Sequence, residues 1–279
     1  MFLIETKKDL QKKLSELKAN GTVGLVPTMG ALHDGHISLV NRAVSENKVV
    51  VVSIFVNPTQ FNDPKDLERY PRTLENDLKL LENTGCKIVF APSVKEVYPN
   101  QDTRKFDFGS LETVMEGKHR PGHFNGVAQV VSKLFDMVQP DKAYFGLKDF
   151  QQLAVIKNLV QQLQIPVEIV PCPIVREESG LAMSSRNELL TAEERKNAAV
   201  ISDTLFRAKE LSGVKSVQQL AEWMEKTINK NPFLTVEYVE IVDDINLQPV
   251  KYWNEKNIKV GCVAVYCGNV RLIDNIVFN

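Results

Sequence analysis

The sequence predicts an α/β protein: a Rossmann-like parallel sheet flanked by helices, followed by a second, smaller α+β domain. Three observations carry that expectation. The short runs Val23–Val26, Val49–Asn57, Lys87–Ala91, Ala143–Phe145 and Val167–Val170 are β-rich and apolar almost without alternation, as strands covered on both faces are. Helical stretches at Ile37–Asn47, Leu74–Thr84, Val127–Val138 and Phe150–Gln164 fall between them, so repeated β-α-β units are the simplest topology. After Ile174 the texture changes to a polar loop, a helix and three strand-like runs, which divides the chain into domains at 1–175 and 176–279.

The chain opens with a surface helix, because Leu10, Leu14 and Leu17 recur at helical spacing and Thr6 with Asp9 forms a capping box. In the run that ends at Asn57, Pro58 stops a strand at the sheet's C-terminal edge. Past the polar loop Arg176–Arg186, Thr191 caps a helix with Glu194 three residues on. Val236–Val242, Lys259–Cys267 and Val270–Phe278 then read as antiparallel strands, the last two closed into a hairpin by Gly268-Asn269.

Composition excludes several classes of function. The 279 residues are 43% hydrophobic and 25% charged with a formal net charge of −1, so the core is ample and no global field favours a polyanion or a membrane surface. Any phosphate recognition is therefore local, and no nucleic-acid partner is expected. The longest apolar run, Val49–Val56, is far short of the about 20 residues that cross a bilayer. Cys86, Cys172, Cys262 and Cys267 form no Cys-x-x-Cys pair and read as reduced, buried thiols. A lysine-rich start interleaved with Glu5, Asp9 and Glu16 lacks the uncharged centre of a signal peptide, and a cytoplasmic protein is expected.

The four histidines fall in two clusters. In Pro27-Thr28-Met29-Gly30-Ala31-Leu32-His33-Asp34-Gly35-His36 the first pair sits where a strand becomes a helix. The free N–H groups and positive dipole end of a helix's first turn attract anions there, and Gly30 and Gly35 allow close approach. His33 and His36 then form a phosphate clamp; the plainer alternative is an Asp34 N-cap flanked by surface histidines.

Three further segments carry polar groups suited to the same chemistry. Asn57 and Gln60 leave a strand end where open parallel sheets bind ligands and can orient a small polar substrate, or serve only the turn. Gly146-Leu147-Lys148-Asp149 again turns a strand into a helix, with Asp149 as N-cap and Lys148 able to balance phosphate charge or merely be solvated. Met183-Ser184-Ser185-Arg186 offers hydroxyls and a guanidinium suited to a polyphosphate. The second pair, His119 and His123 around Arg120-Pro121-Gly122, either reaches the same cleft or caps the following helix.

Taken together, Pro27–His36, Phe55–Phe61, Tyr70-Pro71-Arg72-Thr73, Arg120–Val127, Phe145–Leu153 and Pro173–Asn187 resemble the pantothenate synthetases. These pantoate–β-alanine ligases belong to the nucleotidylyltransferase superfamily, which shares the His-Ile-Gly-His signature with class I aminoacyl-tRNA synthetases. The resemblance implies that Met29, Gly30, Ala31, Leu32, His33, Asp34, Gly35 and His36 meet ATP, with His36 as proton donor. It implies likewise that Gln60 meets pantoate and β-alanine and Gln152 meets pantoate, with Asn57 and Arg120 alongside. Gly146, Leu147, Lys148 and Asp149 would hold ATP, Val175 the adenine, and Met183, Ser184, Ser185 and Arg186 the phosphates. Leu147 stands where relatives usually carry a glutamate, and His119 also departs from the usual residue. ATP as substrate, Mg²⁺ with it, and a homodimer complete the implied picture.

The implied reaction has two halves: pantoate's carboxylate attacks the α-phosphorus of ATP, then β-alanine's amine attacks the resulting pantoyl adenylate. A carboxylate of pKa near ~4 is ionised at neutral pH, so the first half needs alignment and charge neutralisation by His33, His36, Lys148 and Arg186. An alkylamine of pKa about 10 must lose a proton before the second. The alternatives are a nucleotidyltransferase acting on a phosphate ester, which needs neither the Asn57 and Gln60 amides nor an amine acceptor, and a nucleotide-sensing module with a dead site, which the joint presence of His33, His36, Lys148, Ser184, Ser185 and Arg186 speaks against.

Overall fold

The structure, a computed structural model, describes residues 1–18 and 21–278. Strands β1 (Phe2–Ile4), β2 (Val23–Thr28), β3 (Val49–Ile54), β4 (Ile88–Phe90), β5 (Lys142–Gly146) and β6 (Glu168–Cys172) form one sheet in the order β1-β4-β3-β2-β5-β6. All its pairings are parallel. Helices α1 (Lys7–Lys18), α2 (Asp34–Glu46), α3 (Pro64–Arg69), α4 (Leu74–Glu82), α5 (Val94–Val97), α6 (Met115–His119), α7 (His123–Val138) and α8 (Phe150–Leu163) intervene. Leu39, Val40 and Ala43 of α2 and Leu81 of α4 pack with Val26, Val50, Val52 and Val89 on one face of the sheet. On the other face α7 touches β2 and α1 touches β3. A doubly covered sheet explains why its strands lack polar alternation.

Chain order and strand order part company beside β2: β3 and β4 build outward on one side, and the chain then returns to place β5 on the other. The C-terminal ends of β2 and β5 therefore flank a topological switch point, where open parallel sheets bind ligands. The histidine turn leaves the first of these strands and Gly146-Leu147 ends the second.

Two compact units divide the chain: residues 1–108, 120–147 and 152–173 in the first, and 109–119, 148–151 and 174–279 in the second. The second contains α9 (Ala192–Leu211), α10 (Val217–Ile228) and an antiparallel sheet of β7 (Leu234–Asp243), β8 (Lys259–Cys267) and β9 (Val270–Phe278). Its core joins Ile201 and Leu205 of α9, Leu220 and Met224 of α10, and Val263, Val265, Leu272 and Ile276 of the sheet.

The segment 109–119 joins this second unit because of ion pairs that no local pattern reveals. Arg271 on β9 grips Glu116 of α6 at 2.7 and 2.8 Å and Glu237 of β7 at 2.5 Å, and the Tyr238 hydroxyl donates to Glu116 at 2.8 Å. A β-bulge between Val236 and Tyr238 makes Glu237 the extra residue of its strand. Burial pulls the Arg271 pKa down, yet its bonds to Glu116 and Glu237 more than offset this and the guanidinium stays charged.

Most elements lie where periodicity put them, with shifted ends. The strand expected to run to Asn57 ends at Ile54, and Pro58 opens a 3₁₀ turn. Edge strand β1, with Ile4 alone buried, is too short to show a pattern. Helix α10, absent from the expected elements, carries a local signal of its own: Ser216 and Gln219 form its capping box around apolar Val217, Leu220, Met224 and Ile228.

Candidate active site

Two consecutive left-handed residues, Gly30 at φ +82° and Ala31 at +50°, turn the chain from β2 into α2. The second lacks glycine's freedom and is held from outside. Asp77 on α4, 1% exposed, accepts from the N–H of Ala31 at 3.0 Å and of Leu32 at 2.8 Å, and from the Thr73 hydroxyl at 3.2 Å. Gly30 N–H donates to the Thr28 hydroxyl at 3.2 Å.

The next residues cap the helix with imidazoles. His33 is the N-cap of α2, where its Nδ1 accepts from Gly35 N–H at 3.1 Å, while His36 Nδ1 accepts from His33 N–H at 3.4 Å. This corrects the expectation on two points. The cap is His33 and Asp34 is the first helical residue, because a ring nitrogen does here what a carboxylate ordinarily does. The N–H groups of Gly30, Ala31, Leu32, His33, Gly35 and His36, expected to be free, are paired within the protein, those of Ala31 and Leu32 with Asp77 of α4 and that of His36 with the His33 carbonyl at 2.8 Å. An Nδ1 that accepts puts the neutral ring's proton on Nε2. The turn thus carries two Nε2–H donors on rings 4.1 Å apart.

At the exit of β3, Asn57 is 1% exposed and its amide is filled by the protein. Its oxygen accepts from the Tyr98 hydroxyl at 2.9 Å, the Thr59 hydroxyl at 3.1 Å and Thr59 N–H at 3.4 Å. Its nitrogen donates to the Gly126 carbonyl and to Gln60 Oε1, both at 3.1 Å. Burial raises the Tyr98 pKa, so the phenol remains a donor. Gln60 in turn donates from Nε2 to Met29 Sδ at 3.1 Å. Of the two amides singled out in sequence, Asn57 acts on Gln60 and only Gln60 has donor capacity to offer. Arg120 Nη1 lies 3.1 Å from His123 Nε2, and His123 Nδ1 lies 2.8 Å from the Gln60 carbonyl. The first unit therefore brings together Met29, Asn57, Gln60, Arg120 and His123, the first of the two readings of that histidine.

Past β5, Leu147 N–H extends the ladder to the Cys172 carbonyl at 2.8 Å, a bond that does not depend on its side chain. Gln152 lies in α8 with its side chain half-buried and no side-chain hydrogen bond among the described residues.

In the second unit, the Lys148 carbonyl accepts from Asn275 at 2.9 Å. The loop after β6 folds on itself: Met183 N–H reaches the Val175 carbonyl at 3.0 Å, and Ser184 caps the 3₁₀ turn Ser185–Leu189 by accepting from Arg186 N–H at 3.3 Å. Arg176 clamps Asp274 at 2.6 Å, and Glu177 binds both Asn187 at 2.7 Å and Arg195 at 2.9 Å. Val175, Met183 and Ser184 are thus neighbours in a cross-linked loop.

Thiol chemistry is absent from both sets. All four cysteines are free and buried, and burial raises their pKa values, Cys86 and Cys267 to about 11. No group of three or more potential metal ligands occurs among the described residues.

A parallel sheet with a pair of Nε2–H imidazoles at its switch point defines the class: a doubly wound α/β protein with a histidine-capped turn between its second strand and the following helix. The pantoate-beta-alanine ligase family model matches residues 2–277, and the chain belongs to that family. It is 60% identical over 277 residues to the pantothenate synthetase of Bacteroides fragilis (strain YCH46), covering 99% of this chain and 98% of that one. Among solved structures, pantothenate synthetase from Thermus thermophilus superposes with a TM-score of 0.93 at 45% identity, over 99% of both chains. The pantoate-beta-alanine ligase of Francisella tularensis, complexed with beta-gamma ATP and beta-alanine, matches at a TM-score of 0.83 and 37% identity, over 99% of this chain and 97% of that one. The expected family and fold are borne out, and the chain is a ligase that joins pantoate to β-alanine. No helix among the described residues is long and apolar enough to cross a membrane.

Proposed function

We propose that this ligase spends ATP by forming pantoyl adenylate and pyrophosphate, then transfers the pantoyl group to β-alanine with release of AMP. The observation that carries this reading is the histidine turn, whose Nδ1 atoms are tied to main-chain N–H groups, which places the ring protons on Nε2. Two neutral donors at a helix N-terminus stabilise charge that grows on a leaving pyrophosphate without first trapping the substrate as an ion pair. His36, expected as proton donor, acts in this reading by hydrogen bonding.

Lys148, Ser184, Ser185 and Arg186 supply the remaining charge and hydroxyls to the phosphates, Val175 and Met183 border the adenine, and Asp149 and Gly146 belong to the same nucleotide set. Gln60, with one donor edge and a fixed orientation, recognises an oxygen of pantoate; Gln152 and Arg120 assist it. Mg²⁺ enters on the triphosphate, since this ion keeps most of its waters and is commonly held through substrate phosphates. We place the enzyme in the cytoplasm, which suits four free thiols, and as a homodimer, with residues 176–279 serving as a lid that keeps water from the anhydride.

Incubation of the purified protein with ATP, D-pantoate and β-alanine, omitting each in turn, tests the reading by mass spectrometry. AMP and pantothenate are expected in equal amounts and only from the full set. Pantothenate formed with ADP, or without nucleotide consumption, would refute it.

A further inference from the structure

His123 belongs to the one histidine cluster for which the reaction as described has no use, and its partners fix its chemistry. A carbonyl can only accept, so the 2.8 Å contact with the Gln60 carbonyl requires Nδ1–H. A guanidinium can only donate, so the 3.1 Å contact with Arg120 requires an unprotonated Nε2. Both partners demand the same neutral tautomer, opposite to that of His33 and His36. A second proton would set Nε2–H against the Arg120 donor, like charge against like.

His123 is 6% exposed, as the first residue of α7 behind the left-handed Gly122. Glycine at 126 lets that helix lie against the 58–60 turn, because a Cβ there would overlap the Thr59 carbonyl. Gln60 is consequently held at three points, its main-chain carbonyl by His123, its side-chain oxygen by Asn57 Nδ2 and its side-chain nitrogen by Met29 Sδ. Asn57 itself cannot be turned over, since Thr59 N–H can only donate to it and the Gly126 carbonyl can only accept.

We propose that His123 is a positioning residue for pantoate recognition, a neutral Nδ1–H imidazole that fixes the Gln60 main chain and the Arg120 guanidinium relative to one another. This rests on the reading of Gln60 as a pantoate contact. The ring touches no reacting atom; it sets where two other side chains stand.

Two amide replacements separate its two bonds. In His123→Asn the amide nitrogen stands where Nδ1–H stood and keeps the Gln60 carbonyl; His123→Gln reaches the Nε2 position and abandons that carbonyl. His123→Gln is expected to raise KM for pantoate about tenfold with KM for ATP unchanged, and His123→Asn to recover most of that loss. Combined with Gln60→Ala, His123→Gln should add little further loss, because it acts through the same side chain.

The proposal is overturned if His123→Gln leaves pantoate KM unchanged, if it moves the constants of all substrates in parallel, or if the two substitutions add. Should Gln60→Ala itself leave pantoate KM unchanged, the placement of Gln60 fails and the proposal falls with it, whereas a raised KM in Gln60→Ala beside an unchanged one in His123→Gln overturns the proposal alone. Should the variants not fold, ¹⁵N NMR of the wild-type imidazoles decides: Nδ1–H at His123 is expected, and Nε2–H there would overturn the proposal.

Discussion

Asp77 does more for the histidine turn than any residue that the sequence motifs brought forward. Its carboxylate fills three acceptor sites with Ala31 N–H, Leu32 N–H and the Thr73 hydroxyl, and so holds a non-glycine residue at positive φ. In Asp77→Asn one acceptor becomes a donor aimed at a main-chain N–H. A loss of about 2–3 kcal/mol in denaturant unfolding is expected, together with a fall in adenylate formation that exceeds the fall in folded fraction. Unchanged stability and unchanged adenylate formation would detach Asp77 from the turn. At this scale the residue types of the site were legible, because imidazole pairs, neutral amides and a Ser-Ser-Arg run are chemically distinctive. Their hydrogen-bond partners were not. Asp77 lies more than forty positions from the amides it binds, and nothing local in Leu74-Glu75-Asn76-Asp77 distinguishes it from a solvated helix carboxylate.

Helix α7 and the 58–60 turn show the same logic one level up. The helix was anticipated from its apolar spacing at Val127–Val138, but it starts earlier, at His123, because Gly122 in the left-handed region opens it without a side-chain cap. Its first turn serves the site: His123 meets the Gln60 carbonyl and Gly126 makes room for Thr59. Gly126→Ala is expected to push the turn off the helix and weaken pantoate use, at a cost of about 1–3 kcal/mol in stability. A variant with wild-type pantoate kinetics and unchanged melting would show that the close approach is dispensable. The hairpin of β8 and β9 was readable from Gly268-Asn269, where Gly268 alone takes positive φ, as a II′ turn with glycine first requires. By contrast the segment 109–119 was unreadable, since Glu116 owes its place to Arg271 and Tyr238, over one hundred residues away.

At the scale of the whole molecule, a net charge of −1 leaves attraction of an anionic substrate to local groups, and the fold supplies them where chain order and strand order diverge. The parallel sheet was visible because burial on both faces removes polar alternation, a signal that survives in any single sequence. Division into units was visible only where local texture changes. The proposed chemistry follows from the switch point: the chain leaves β2 through a turn whose N–H groups at 30–33, 35 and 36 have partners in the protein, so in this reading two imidazole Nε2–H groups meet the phosphates in their stead. In the proposed reaction pantoate's own carboxylate attacks the α-phosphorus at this turn. Pantoate labelled with ¹⁸O in its carboxylate tests this in one turnover: one labelled oxygen is expected in AMP and none in pyrophosphate. Unlabelled AMP, or label in inorganic phosphate accompanied by ADP, would contradict it.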